Sequence, residues 1–136
     1  MKALNFNKIF IVIVISFVCC MTINAISPRE YMYDTKEENG KITSKVAFLN
    51  DNGLLNKEFK YEFSYNTNGK VSEKKVYRWN GNSDEWKPYY QSTFTYDEAN
   101  GEINTKYGMW NEKSKNFDLN IQYMVIPASN YADIFK

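Results

Sequence analysis

The sequence predicts an all-β protein, an antiparallel meander of about seven strands that forms either an open twisted sheet or a barrel-like one. Segments of alternating apolar and polar residues are separated by turn residues without a break from Arg29 to Ile126. A unit of 31 residues recurs along this stretch. All eleven Tyr and all three Trp follow residue 25, and both residue types suit the half-buried surface of a sheet.

Each predicted strand is bounded by Asn, Asp, Gly or Pro, which favour the backbone conformations of tight turns. The first strand contains Tyr31 and Tyr33. Six more strands are predicted at 41–49, 55–65, 71–79, 86–96, 103–110 and 117–125. Pro127 ends the last strand because it has no backbone N–H. Ser129 is placed to cap a short helix that extends through Phe135.

The repeat is visible as matched residues at a fixed spacing. Three pairs lie 31 positions apart, namely Tyr65 with Tyr96, Trp79 with Trp110, and Trp86 with Phe117. A fainter first copy begins at Tyr33 and has Leu49 where the later copies have Trp. The unit is therefore a strand, an Asn-Gly turn, a second strand and a Trp-Asn turn, and such hairpins linked end to end make a meander.

The copies differ in one spacing, which predicts an irregularity. Seven positions separate Ile103 from Trp110, but eight separate Val71 from Trp79. The middle copy is therefore predicted to contain a β-bulge at residues 72–74. Alignment from the Trp backwards then predicts two rows on opposite faces of the sheet. The buried row is Val46, Val76 and Tyr107, and the opposite row is Leu49, Trp79 and Trp110.

The first 25 residues have the pattern of a secretory signal peptide. Lys2 and Lys8 make a short basic start, and residues 9–22 after it are almost entirely apolar. Ala25 supplies a cleavage site. The apolar stretch is shorter than the roughly 20 residues that span a bilayer. An uncleaved anchor and a lipoprotein signal are the alternatives. We expect a secreted, periplasmic or cell-envelope protein whose single all-β repeat domain is residues 26–136.

Composition excludes several classes of function. The sequence has no His, and Cys19 and Cys20 both lie in the predicted signal, so Ser-His, Cys-His and the usual zinc sites are not expected. Residues 26–136 contain fifteen basic and sixteen acidic side chains, which are interspersed. This balance gives no reason to expect nucleic acid or, once the signal is removed, a membrane as partner. No glycine-rich phosphate loop occurs, and no cofactor is expected.

Glu58, Glu62 and Glu73 are the candidates for a catalytic carboxylate pair. Glu58 and Glu62 share one face of the predicted strand, but at four residues apart they lie about 13 Å from each other, too far for glycoside hydrolysis. A solvated strand face with lysine partners explains them better. These lysines are Lys57, Lys60, Lys74 and Lys75. We therefore expect no enzyme activity.

Two acidic turns, at 50–53 and 97–101, resemble calcium loops only superficially. Their spacing does not match that of an EF-hand, which needs carboxylates at alternate positions and a bidentate Glu at the end. Turn formation alone explains these Asn, Asp and Gly residues. No metal site is therefore predicted.

The aromatic residues are the candidate ligand-binding residues. They are Trp79, Trp86, Trp110, Tyr89 and Tyr90. Such rings stack on sugars, with Asn80, Asn82 and Gln91 nearby to bond hydroxyl groups, and they also anchor protein interfaces. The alternative interpretation is that they pack the faces of a small sheet that lacks disulfides.

This chain resembles a small family of secreted Bacteroides proteins of unknown function. The resemblance is carried by the Tyr-Asn or Tyr-Asp pairs and Asn-Gly turns of segments 63–69 and 93–101, and by the Trp-Asn turns that follow these segments. A looser likeness links Tyr96-Asp97 to the tyrosine-aspartate repeats of Rhs-type proteins, although Tyr65-Asn66 departs from that pattern. Neither resemblance implies catalytic residues. We expect an exported, non-catalytic binding module that recognises a glycan, or alternatively a structural protein whose aromatic face is buried by a protein partner or by self-association.

Overall fold

The computed structural model describes residues 29–136, apart from the side chains of residues 120 and 121. The predicted signal peptide lies outside the described residues. No helix in residues 29–136 is long and apolar enough to cross a membrane.

Seven strands form one antiparallel sheet in the order of the chain, which confirms the predicted meander. The strands are β1 (Glu30–Glu38), β2 (Lys41–Asp51), β3 (Leu54–Tyr65), β4 (Val71–Asn80), β5 (Glu85–Asp97), β6 (Glu102–Asn111) and β7 (Asn116–Pro127). The sheet is open, with β1 and β7 as its edges. A short 3₁₀ helix, η1 (Ala128–Phe135), follows β7.

The tightest turns form because Asn and Gly accept positive φ angles. Asn39 and Gly40 have φ angles of 52° and 72°, and Asn52 and Gly53 have φ angles of 52° and 88°. Two successive positive φ angles define the type I′ turn, whose twist matches that of the flanking strands. These two dipeptides therefore fix the β1–β2 and β2–β3 hairpins.

The two Trp-Asn turns have the same geometry, as the repeat predicts. Asp84 and Lys115 occupy equivalent positions 31 residues apart, and each has a φ angle of 51°. At the start of each turn an Asn side-chain oxygen accepts backbone N–H bonds, Asn80 from Asn82 and Asn111 from Lys113. These side-chain-to-backbone bonds stabilise each turn with residues of that turn alone.

The predicted bulge in β4 is confirmed. Ser64 pairs with Glu73 while Tyr65 pairs with Val71, so Ser72 is the extra residue. The middle copy is not the only irregular one, however. Thr43 is an extra residue at the equivalent place in β2, and the β2–β3 register skips Glu58.

These bulges decide which face each side chain occupies. We call the face that carries Val76 and Ile103 the covered face, and the face that carries Trp79 and Trp110 the open face. Val76 and Tyr107 share the covered face, as predicted, since their β5 partners are Tyr90 and Ser92.

The predicted positions of Val46 and Leu49 are wrong. Val46 pairs with Lys60, which pairs with Tyr77, so Val46 lies on the open face. Leu49 lies three positions away, on the covered face, opposite Tyr31 of β1. The extra residue Thr43 reverses the alternation of β2, so Val46 and Leu49 lie on the faces opposite to those of Tyr107 and Trp110 in β6.

Helix η1 folds back onto one end of the covered face and closes a small core. Ile134 is buried there against Phe63, Val71, Phe94 and Ile103. The helix lies where the sequence predicts one, but its cap differs. The residue before it is Pro127, with no side-chain cap, and the Ser129 hydroxyl donates instead to the Asn130 side chain.

Candidate functional site

The open face presents two aromatic pairs that are built in the same way. Trp79 and Trp86 are cross-strand partners beside the β4–β5 turn. Their rings lie 4.9 Å apart at an interplanar angle of 65°. Trp110 and Phe117 repeat this arrangement beside the β6–β7 turn, at 5.1 Å and 68°. Edge-to-face packing of this kind stabilises a hairpin end while leaving part of each ring exposed.

Lysines surround the Trp79–Trp86 pair. The Lys57 Nζ lies 4.1 Å from the Trp79 ring centre, and the Lys60 Nζ lies 4.5 Å from the Tyr77 ring centre and 6.0 Å from that of Trp86. Cation–π contacts at such partly exposed positions contribute about 0.5–1 kcal/mol each. All of these side chains are on a face over which no other element passes in residues 29–136, because η1 packs on the covered face. The open face is therefore an amphipathic platform of rings and ammonium groups.

The carboxylates of the open face are engaged by neighbours. Glu62 forms an ion pair with Lys60 at 2.8 Å. Burial acts to raise the pKa of Glu62, but hydrogen bonds from Lys60 and Tyr77 outweigh it and hold that pKa below its ordinary value. Glu73 accepts a 2.5 Å bond from the Gln91 Nε2 and pairs with Lys75 at 3.0 Å.

Glu58 does not share a face with Glu62, contrary to the sequence prediction. Glu58 is the bulged residue of β3, and its carboxylate accepts a 2.9 Å bond from the Tyr31 hydroxyl on the covered face. Glu62 points the other way, since it pairs with Lys75 of the open face. The sheet thus separates the two carboxylates.

In each acidic turn, a side-chain oxygen accepts hydrogen bonds from backbone N–H groups of the same turn. The Asp97 Oδ1 accepts the backbone N–H groups of Ala99 and Asn100, and the Asn50 side chain accepts that of Gly53. Residues 29–136 contain no group of three or more acidic side chains arranged to hold a metal ion.

Tyr89 and Tyr90 lie apart from the three tryptophans. Tyr90 pairs with Val76 and so faces the covered side, and Tyr89 is the bulged residue beside it. Tyr90 lies 5.1 Å from the Tyr107 ring and Tyr89 lies 6.2 Å from that of Phe59. Burial raises the pKa of Tyr90 to about 12. Of the five candidate residues, the three tryptophans therefore lie on the open face. Tyr89 and Tyr90 belong to an aromatic cluster on the covered face.

Sequence reasoning missed a buried lysine. Lys74 is expected on a solvated face, yet it is only 7% exposed. Its Nζ donates to the main-chain oxygens of Ile134 at 2.8 Å and Lys136 at 2.6 Å. Burial, together with the neighbouring Lys45 charge, lowers the pKa of Lys74 from 10.5 to about 8. The bulge at Ser72 and the carbonyl groups of η1 place it there, and the Glu73-Lys74-Lys75 sequence gives no sign of either.

Stability should rise with pH because of Lys74. Its pKa is lower in the folded chain than in the unfolded one, so the unfolded chain binds more protons above pH 8 and the free energy of unfolding increases. We expect a gain of roughly 1 kcal/mol between pH 8 and pH 9 in urea unfolding, below the range in which unfolded tyrosines ionise and the raised pKa of residues such as Tyr90 acts in the opposite direction. Lys74→Met should remove this slope, while Lys106→Met, at an exposed position, should retain it. An equal slope in both variants would rule out Lys74 as the source.

Comparison with known proteins places this fold in a defined group. Residues 1–128 match a family described as a "Family of unknown function (DUF3836)". The structure is similar to the crystal structure of a DUF3836 family protein from Parabacteroides distasonis ATCC 8503, with 63% identity and a TM-score of 0.76 over 79% of this chain and 99% of that one. It is also similar to a DUF3836 family protein from Bacteroides vulgatus ATCC 8482, with 25% identity and a TM-score of 0.64 over 71% and 97% of the two chains.

A third crystal structure, of a protein with unknown function from Bacteroides fragilis NCTC 9343, has 22% identity and a TM-score of 0.60 over 71% of this chain and 70% of that one. That likeness concerns the fold alone. No curated protein matches the sequence.

Proposed function

The chain belongs to the DUF3836 family of unknown function, and we propose that it is an exported, non-catalytic module that binds a glycan with its open face. The observation that carries the proposal is the Trp79–Trp86 pair on a sheet face that no described element covers. Half-buried rings are held rigidly there, so little conformational entropy is lost when a ligand packs on them.

The surroundings of the pair support a sugar as ligand. The C–H faces of a sugar pack on aromatic rings, and its hydroxyl groups need donors and acceptors placed around those rings. Lys57 and Lys60 supply donors within 4.1–6.0 Å of the ring centres. Glu62 and Glu73 supply acceptors on the same face. Their engagement by Lys60, Gln91 and Lys75 favours a binding role over acid–base catalysis.

A glycan array with three proteins tests the proposal. We expect the wild type to bind a glycan, and Trp86→Ala to bind at least about tenfold more weakly, because removal of a central aromatic anchor costs more than about 1 kcal/mol. Tyr33→Ala is the matched control, since Tyr33 is an exposed aromatic residue on the other face. Equal binding by Trp86→Ala and the wild type, both folded, would contradict a site at this pair.

Burial of the open face by a protein is the second candidate function, and the apolar content of that face favours it. Trp79, Trp86, Trp110 and Phe117 are joined there by the open-face residue Val46. Half-buried aromatic surface of this kind is also typical of interfaces. A concentration-dependent dimer in sedimentation equilibrium, lost in Trp86→Ala and without any glycan signal, would favour self-association over sugar binding.

A further inference from the structure

A small cavity lies between the covered face and η1, on the other side of the sheet from the tryptophans. Its volume is about 210 Å³. Its walls combine the polar residues Lys74, Ser92 and Thr105 with the apolar residues Phe94, Ile126 and Ile134. A concave apolar site with a few convergent polar groups is the usual form of a small-molecule site.

The three polar groups are buried more deeply than their residue types usually are. Lys74, Ser92 and Thr105 are 7%, 8% and 5% exposed. They come from three neighbouring strands: Lys74 pairs with Ser92 across β4 and β5, and Thr105 pairs with Phe94 across β5 and β6. The sheet register therefore fixes an ammonium group and two hydroxyl groups along one wall of the cavity.

Thr105 is the residue that points to a ligand. Its Oγ1 is fully buried and has no hydrogen-bond partner in the described part of the chain. Buried hydroxyl groups are nearly always bonded, because an unpaired one costs about 1–3 kcal/mol. Packing alone does not explain a threonine here, since valine would fill the same volume without that cost.

The charges around the cavity favour an anion. Lys74 uses two of its three N–H bonds on the main-chain oxygens of Ile134 and Lys136, and the Lys45 Nζ is held close by through its bond to the Phe135 carbonyl. Asp133 also lines the cavity, and its Oδ1 is paired with the Lys136 Nζ at 2.5 Å. One donor of Lys74 therefore remains for a ligand.

Size and wall chemistry define that ligand further. A volume of about 210 Å³ lies below the roughly 300–1,000 Å³ of sites for drug-sized ligands, which favours a small ligand over a sugar chain. Phe94, Ile126 and Ile134 require an apolar body. We propose that this cavity binds a short-chain monocarboxylate, with the carboxylate on Lys74 and the two hydroxyl groups and the hydrocarbon chain against Phe94 and Ile126. This site is independent of the open face.

Titration with sodium butanoate tests the proposal. At constant ionic strength, butanoate should raise the melting temperature and shift the methyl NMR signals of Met124, Ile126 and Ile134, which line the cavity. Butanamide and butylamine have the same shape but no negative charge, and we expect at least tenfold weaker binding for both. Binding of butanamide or butylamine as tight as that of butanoate, or no shift with any of the three, would overturn the proposal.

Variants locate the binding. Lys74→Met should weaken butanoate binding at least tenfold, but it also removes the bonds to η1. Thr105→Val preserves shape, so it should leave the fold intact, raise the melting temperature without ligand, and weaken butanoate binding several-fold. Thr95→Val, on the exposed side of β5, is the matched control and should bind as the wild type does. Unchanged binding by Thr105→Val would overturn the proposed role of the cavity.

Discussion

Gly108→Ala is expected to destabilise the fold by about 3 kcal/mol or more, as severe overpacking does. A Cβ at this position would lie 1.9 Å from the Asp118 carbonyl oxygen, 2.3 Å from its carbon and 2.7 Å from the Leu119 Cα. These are backbone atoms, so no change of rotamer relieves the contact. The β6–β7 register is irregular between Tyr107 and Met109, and the backbone of β7 approaches Gly108 so closely there that only glycine leaves room.

Urea unfolding followed by circular dichroism measures this effect. Gly81→Ala is the matched control, because Gly81 lies in the β4–β5 turn with nothing within 4 Å of the added Cβ. We expect Gly81→Ala to lie within about 0.5 kcal/mol of the wild type. If Gly108→Ala has the same urea midpoint as Gly81→Ala, β6 and β7 do not approach each other as closely as described.

A sequence signal for this close approach exists. Gly108 stands in the middle of a predicted strand, 31 residues after Tyr77, and an isolated glycine in a strand often marks a bulge or a close backbone approach. The signal does not identify the partner. Asp118 and Leu119 come near Gly108 only because of the irregular register of β7, which depends on both strands at once.

The strands and turns were predictable because their signals are local. Asn39-Gly40 and Asn52-Gly53 determine their turns through backbone preference alone. The spacing of Trp79 and Trp110 gave the repeat, and one additional residue gave the bulge at Ser72. Each turn depends on two neighbouring residues, and the repeat and the bulge follow from spacings that are counted along the chain.

Face assignments failed where a bulge had no signal in the sequence. The extra residue Thr43 left no sign in the comparison of copies, because seven positions separate Ile42 from Leu49 just as seven separate Ile103 from Trp110. One extra residue exchanges the two faces for everything beyond it. For this reason Val46 and Leu49 lie opposite to their predicted faces. Trp79 and Trp110 were placed correctly because β4 and β6 alternate regularly between Val76 and Trp79 and between Tyr107 and Trp110.

The buried polar groups were not predictable, since tertiary packing creates them. Lys74 is buried because η1 returns over the sheet and offers it two carbonyl oxygens. Ser92 and Thr105 are buried by the same helix segment, whose Ile134 packs on this part of the sheet. The sequence predicted a helix near Phe135 but contained no indication of the face on which it packs.

Ile103→Ala should be the most damaging truncation of an apolar side chain, with an expected loss of about 2–4 kcal/mol in the free energy of unfolding. Ile103 is 0% exposed and packs in the core cluster that η1 closes. A single-layer sheet buries few side chains, so each one carries a large share of a total stability that is about 5–15 kcal/mol for typical domains. The loss of three side-chain carbons also removes packing contacts between the sheet and Ile134.

The control for this truncation is Leu54→Ala, because Leu54 is 66% exposed at the start of β3. It should change the urea midpoint very little, since its side chain loses hardly any contact with water on folding. The comparison decides where the stability of the fold resides. If the two variants are equally stable, the core under η1 contributes no more than the sheet surface, and the backbone pairing of the hairpins alone holds the meander together. A large difference means that η1 and the covered face form the cooperative unit on which the open face depends for its rigidity.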